Sequence, residues 1–191
     1  MRKEKGWITS TTVALFPAYH HVYQTIILDL SGKKVWSKEP AKEIINEACL
    51  EDGASYEGKI KAVRHALPYH RKTPLIINKD QHIYAFPTMS PDKYECIWLF
   101  HLHILEISQT QDKTYITFIN GCKLKVNCSI RVLNRQRERA AVTMNHFAFK
   151  NMNLHISLPV EAESIEEGEL SEFHVHNGIE PTNQDQSYLQ G

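Results

Sequence analysis

The sequence predicts an α+β fold: an antiparallel sheet with a few helices, followed by a flexible acidic C-terminal tail. Three observations carry this expectation. Helical periodicity occupies residues 41–50 and 55–67 and returns after Ser129. Around and between these segments lie short runs rich in Val, Ile, Thr, Tyr and Phe, punctuated by turn residues, which read as strands. All 22 Lys and Arg residues lie at or before Lys150, whereas residues 151–191 hold eight acids and neither Lys nor Arg.

Taken in order, residues 1–10 form a loose basic start. Residues 11–16 and 22–29 read as strands around a turn at Pro17. Ser31-Gly32-Lys33 is a turn, and residues 34–37 make a short return strand. Pro40 stands where a helix can begin, because its missing N–H is no loss there. Ile44, Ile45, Ala48 and Cys49 give that helix an apolar side, and Asp52-Gly53 ends it. Ser55 caps the next helix, Tyr56, Ile60, Val63 and Leu67 form its stripe, and Pro68 stops it.

Beyond Pro74 the period changes to that of strands. Residues 75–77 and 83–86 flank the four-residue turn Asn78-Lys79-Asp80-Gln81. Pro87 ends the second of these strands, and residues 90–93 form another turn. Residues 95–107 are the longest strand candidate. Ile97, Leu99, His101, His103, Leu105 and Ile107 would share one face, with Cys96, Trp98, Phe100, Leu102 and Ile104 on the other. Apolar residues on both faces imply a central strand. Residues 114–119 and 122–126 pair through Asn120-Gly121, which predicts a type I′ hairpin. Ser129 caps a last helix running to about Phe149, with Ile130, Leu133, Ala140, Met144 and Phe147 on its apolar side.

Composition narrows the function classes. The body, residues 1–150, carries 22 basic and 14 acidic residues, a net of +8, and the tail, residues 151–191, carries −8. No stretch approaches a membrane span, and no apolar run follows Arg2 and Lys3 as in a secretory signal, so the expected location is a cytoplasm. The four cysteines are sparse, lack CxxC spacing and read as reduced thiols. There is no GxSxG elbow, P-loop, HExxH or dinucleotide fingerprint, so the chain is not read as an enzyme and no cofactor is expected. His101 and His103 would share a strand face, but no third ligand stands at a telling spacing. They are taken as hydrogen-bonded framework, not as a metal site.

The candidate site is cationic. Residues 55–74 hold Lys59, Lys61, Arg64, Arg71 and Lys72, with His65 and His70, against the single acid Glu57. A solvated surface helix explains this segment taken alone. The last helix adds Arg131, Arg135 and Arg139, spaced four apart so that they follow one another along its surface, with Arg137 directed elsewhere. Its bland alternative is an exposed helix bracing the acidic tail. Two cationic helices on one folded body are what a nucleic acid would bind.

Four motifs in register resemble the bacterial competence transcription factors of the ComK type. They are Ser55-Tyr56-Glu57-Gly58-Lys59, Phe86-Pro87-Thr88-Met89-Ser90, Cys96-x-Trp98-x-x-His101-x-His103 and Thr117-Phe118-Ile119-Asn120-Gly121. Taken in order they cover about residues 8–150. The resemblance implies an activator of competence genes that binds paired A/T-rich boxes of double-stranded DNA, chiefly through the minor groove. It also implies a homo-oligomer, either a dimer or a dimer of dimers, working in the bacterial cytoplasm on the nucleoid. After Lys150 the chain departs from the family, whose full activators continue into a region used for assembly and activation. Here an acidic stretch follows instead. The alternative is therefore a regulatory paralogue that modulates a full-length activator, by heterodimerisation or by its tail masking the basic surface.

Overall fold

A computed structural model describes residues 8–151. The tail expected from residue 151 onward lies outside these residues, apart from Asn151. Among the described residues, nine strands and three helices make an α+β fold with only antiparallel pairing. The strands are β1 (Thr12–Pro17), β2 (Thr25–Asp29), β3 (Lys34–Ser37), β4 (Leu75–Asn78), β5 (Ile83–Pro87), β6 (Trp98–Phe100), β7 (Ile104–Thr110), β8 (Lys113–Phe118) and β9 (Lys123–Val126). The helices are α1 (Ala41–Glu51), α2 (Tyr56–Ala66) and α3 (Ile130–Asn151).

The first six strands form one sheet in the order β3-β2-β1-β6-β5-β4, and the last three form a second sheet in the order β7-β8-β9. The large sheet lies between two layers. Alternate side chains of its strands point to opposite faces. On one face Leu15, Ile27, Ala85, Trp98 and Phe100 pack with Ile44, Ile45 and Cys49 of α1 and Ile60 of α2. On the other, Val13, Leu28, Phe86 and Leu99 meet Ile104, Ile116 and Phe118 of the small sheet and Leu133 and Ala140 of α3. A third cluster gathers Val63 of α2, Ile76, Tyr84, Tyr69 and, from α3, Met144 and Phe147. Helices α2 and α3 therefore come together around the β4–β5 hairpin.

Local chemistry accounts for the helix ends. Ser55 Oγ accepts from the Gly58 N–H at 3.2 Å, which satisfies one of the free amides at the start of α2. Gly53, at φ +85, carries the chain out of α1 in a conformation that costs a glycine little. The buried stripe of α3 differs from the apolar one expected. It runs Leu133, Gln136, Ala140 and Thr143, while Ile130, Met144 and Phe147 are half-buried. Gln136 and Thr143 are accommodated because each has hydrogen-bond partners inside the fold.

Two further expectations are corrected. Residues 95–107 are not one strand. β6 ends at Phe100, a 3-10 turn occupies His101–His103, and β7 begins at Ile104. β6 pairs with β1 and β5, whereas β7 pairs only with β8, so the chain has to leave one sheet to enter the other. Apolar residues on both faces arise from two sheets in succession, not from a single buried strand. The hairpin at Asn120-Gly121 is also not type I′. Gly121 has φ +80, but Asn120 does not adopt positive φ. The Gly121 N–H donates to Phe118 O at 2.8 Å, and the Phe118 N–H to Cys122 O at 2.9 Å. This is the three-residue loop that ends in a left-handed glycine. The two-residue turn with both φ positive is Gln111-Asp112, at φ 47 and 59, between β7 and β8.

Candidate nucleic-acid interface

The basic residues of 55–74 take three different places. Lys59 turns inward and is only 9% exposed. Its ammonium is held by the Asp52 carboxylate and the Ile77 carbonyl, so it fastens α2 to the end of α1 and to β4. Lys61, Arg64, His70, Arg71 and Lys72 instead line one groove of about 540 Å³, whose lining also includes Lys42, Ser90, Pro91 and Asp92. His65 is exposed on α2 but lies outside that lining.

Several of these cations are positioned by hydrogen bonds. Arg64 Nε donates to Thr73 Oγ1 at 3.0 Å, and that hydroxyl donates onward to Tyr69 O at 3.2 Å. Lys72 has φ 49, and its ammonium donates to Thr88 O at 3.2 Å. Among the described residues Lys61, Arg64, Arg71 and Lys72 have no carboxylate partner. The groove does contain acid. Asp92 pairs with Lys42 at 2.9 Å, and Glu57 contributes to the lining.

The arginines of α3 divide in the same way. Arg131 and Arg135 are exposed. Arg137 is half-buried and donates to Ile104 O at 2.7 Å, pinning α3 to the start of β7. Arg139 lies over the Tyr69 ring, 4.1 Å from its centroid. Its Nη1 donates to Arg71 O at 2.9 Å and to Gln136 Oε1 at 2.8 Å, while its Nε is buried without a partner among the described residues. Gln136 Nε2 in turn donates to Lys72 O at 2.7 Å. The backbone at Arg71 and Lys72 is thus held from the α3 side, and Tyr69 by its ring, while the Arg71 and Lys72 side chains line the groove beside α2.

His101 and His103 do not share a strand face. In a 3-10 turn residues i and i+2 are about 240° apart around the axis. His103 Nε2 donates to Ser10 O at 2.8 Å, and both Nδ1 atoms are buried without partners among the described residues. Burial lowers both pKa values; for His101 the Arg137 charge adds to this, and for His103 the Ser10 carbonyl opposes it. Among the described residues no three His, Cys, Asp or Glu side chains gather as metal ligands. Burial also pushes the Cys49 and Cys96 thiols up to about 11, which leaves them protonated and unreactive. No helix among the described residues is long and apolar enough to cross a membrane.

The sequence did not reveal Lys42, Ser90 or Asp92 as parts of this surface. They lie far from residues 55–74 in the chain, and no local spacing connects them. Fold and groove together define a class, a basic α+β body with a cationic surface channel. The family is given by comparison. The family model described as ComK protein matches residues 3–152, and the chain belongs to that family. It is similar to the competence transcription factor of Bacillus subtilis (strain 168), with 29% identity over 100 residues. That match covers 52% of this chain and 52% of the relative, so the chain spans about half the length of the curated relative it matches. No solved structure matches it.

Proposed function

We propose that the chain is a DNA-binding transcription regulator of competence genes, and that it grips A/T-rich duplex through the groove beside α2. The observation that carries this is the convergence of Lys61, Arg64, Arg71 and Lys72 on one channel, free of carboxylate partners among the described residues. Family membership and the name of the Bacillus subtilis relative support the regulatory role. In this reading Arg131 and Arg135 add phosphate contacts from α3. Lys59, Arg137 and Arg139 act as positioning residues, and His65 stands at the margin. Arginine suits the narrow minor groove of A/T tracts, where the negative potential is strongest. Paired boxes call for a dimer or a dimer of dimers on the promoter, which sedimentation with a two-box duplex would count. The bacterial nucleoid is the corresponding location.

A mobility-shift titration of an A/T-box duplex against a G/C duplex tests the reading. Tighter binding of the A/T duplex is expected, with log affinity falling against log salt by about 0.9 per phosphate neutralised. Equal and negligible binding of both at low salt would sink it. The second reading, a modulator of a full-length activator, rests on the −8 charge of residues 151–191. If those residues compete with DNA for the basic body, deleting them raises DNA affinity, most strongly at low salt.

A further inference from the structure

The cationic groove continues past α2. A second cavity, of about 320 Å³, shares Lys42, Pro91 and Asp92 with it. The two cavities therefore meet over the Lys42–Asp92 ion pair, which ties the start of α1 to the turn at 90–93. The second cavity brings one more cation, Lys93, and is bounded beyond it by Tyr94. It also holds an acid, Glu43.

Tyr94 is 47% exposed and Tyr19 is 74% exposed. The Tyr19 N–H donates to Tyr94 Oη at 3.0 Å, and the two rings stand edge to face with centroids 5.6 Å apart. Tyr19 is held at φ 47, a conformation uncommon for residues with a side chain. Rings of this size normally contribute to stability through burial. Here two of them are kept in a fixed geometry while largely in water, at the end of a path that begins with four cations.

We propose that DNA bound in the groove runs on over the Lys42–Asp92 pair and is met at the far end by the Tyr19–Tyr94 rings. The inference rests on the DNA-binding reading above and extends it to a second contact region. Lys42 and Lys93 face the phosphates along the path. The rings supply contact with sugar and base surfaces that involves no counterion release. Asp92 is tolerated on the path because Lys42 offsets its charge.

The two kinds of contact separate in a salt series. The full chain is titrated with an A/T-rich duplex at several salt concentrations, as wild type and as Arg71→Ala, Lys93→Gln, Tyr94→Leu, Tyr94→Phe and Tyr19→Gly. Arg71→Ala and Lys93→Gln should each flatten the log–log slope by about 0.9. Tyr94→Leu should weaken binding by about fivefold, the scale of losing one aromatic contact at an interface, with the slope unchanged because no counterion is involved. Tyr94→Phe keeps the ring but drops the hydroxyl that accepts from the Tyr19 N–H, and should lose less affinity than Tyr94→Leu, again with the slope unchanged. Tyr19→Gly removes the other ring while suiting the local φ, and it decides the matter by the same criterion if Tyr94→Leu melts early. Unchanged affinity in the folded tyrosine variants, alongside a weakened Arg71→Ala, overturns the extended path and leaves the groove reading standing. A wild-type chain that binds no duplex removes both.

Discussion

At the residue scale, neighbouring cations with the same chemistry have different roles. Lys59 and Lys61 are two positions apart on α2, yet one is bonded inside the fold and the other lines the groove. Lys59→Met strips a mostly buried ammonium from Asp52 and from the Ile77 carbonyl. It should destabilise the fold by about 2 kcal/mol, since Asp52 retains some access to water. Chemical denaturation measures this, and the salt slope of DNA binding should not move. Lys61→Ala should do the reverse, with stability within about 0.5 kcal/mol of wild type and a slope flatter by about 0.9. The sequence showed the positive charge of both but not their difference. Helical spacing put Lys59 beside the apolar stripe, where only the position of Asp52 and β4 decides whether it turns in or out. Arg64, Arg71 and Lys72 were legible as cations for the same reason, and their sharing one groove with Lys42 was not.

At the element scale, α3 works as a brace as well as a cationic surface. Gln136 is buried, spans from Lys72 O to Pro87 O, and accepts from Arg139. Gln136→Leu leaves those partners without their bonds and should cost about 2–3 kcal/mol. DNA affinity of the folded fraction should also fall, because Arg71 and Lys72 lose the backbone anchor that aims them. Melting curves and a duplex titration on the same preparation check both effects. Helices and hairpins were legible where periodicity and caps agreed, as at Ser55 and Gly53. The 3-10 turn at His101–His103 was not, because a thirteen-residue segment with apolar residues on both faces looks alike whether it stays in one sheet or steps between two. Asn120-Gly121 misled for a related reason. The dipeptide permits the two-residue turn, but the register of β8 on β9 selects the three-residue loop.

At the scale of the whole molecule, the two sheets are joined through a turn that holds two half-buried histidines. Burial lowers the pKa of both, so the unfolded chain takes up protons that the native chain resists. Native stability is therefore full above the ordinary histidine value of about 6.5 and falls as pH drops through it. Thermal melting should fall between about pH 7.5 and pH 5.5. The decline should be shallower in His101→Gln, which cannot titrate. A melting temperature independent of pH across that range would show that these imidazoles do not govern the joint.

Arg139, stacked on Tyr69 and bonded to the Arg71 carbonyl, has a bearing on how any alanine scan of the last helix will turn out. Removing it slackens the backbone that carries Arg71 and Lys72, the side chains proposed to grip the duplex. On the DNA-binding reading the mutant is expected to hold duplex poorly, although its guanidinium is committed to the Arg71 carbonyl, to Gln136 and to the Tyr69 ring. Counting lost affinity residue by residue would then enrol it among the fingers, when the proposed reading puts it in the wrist.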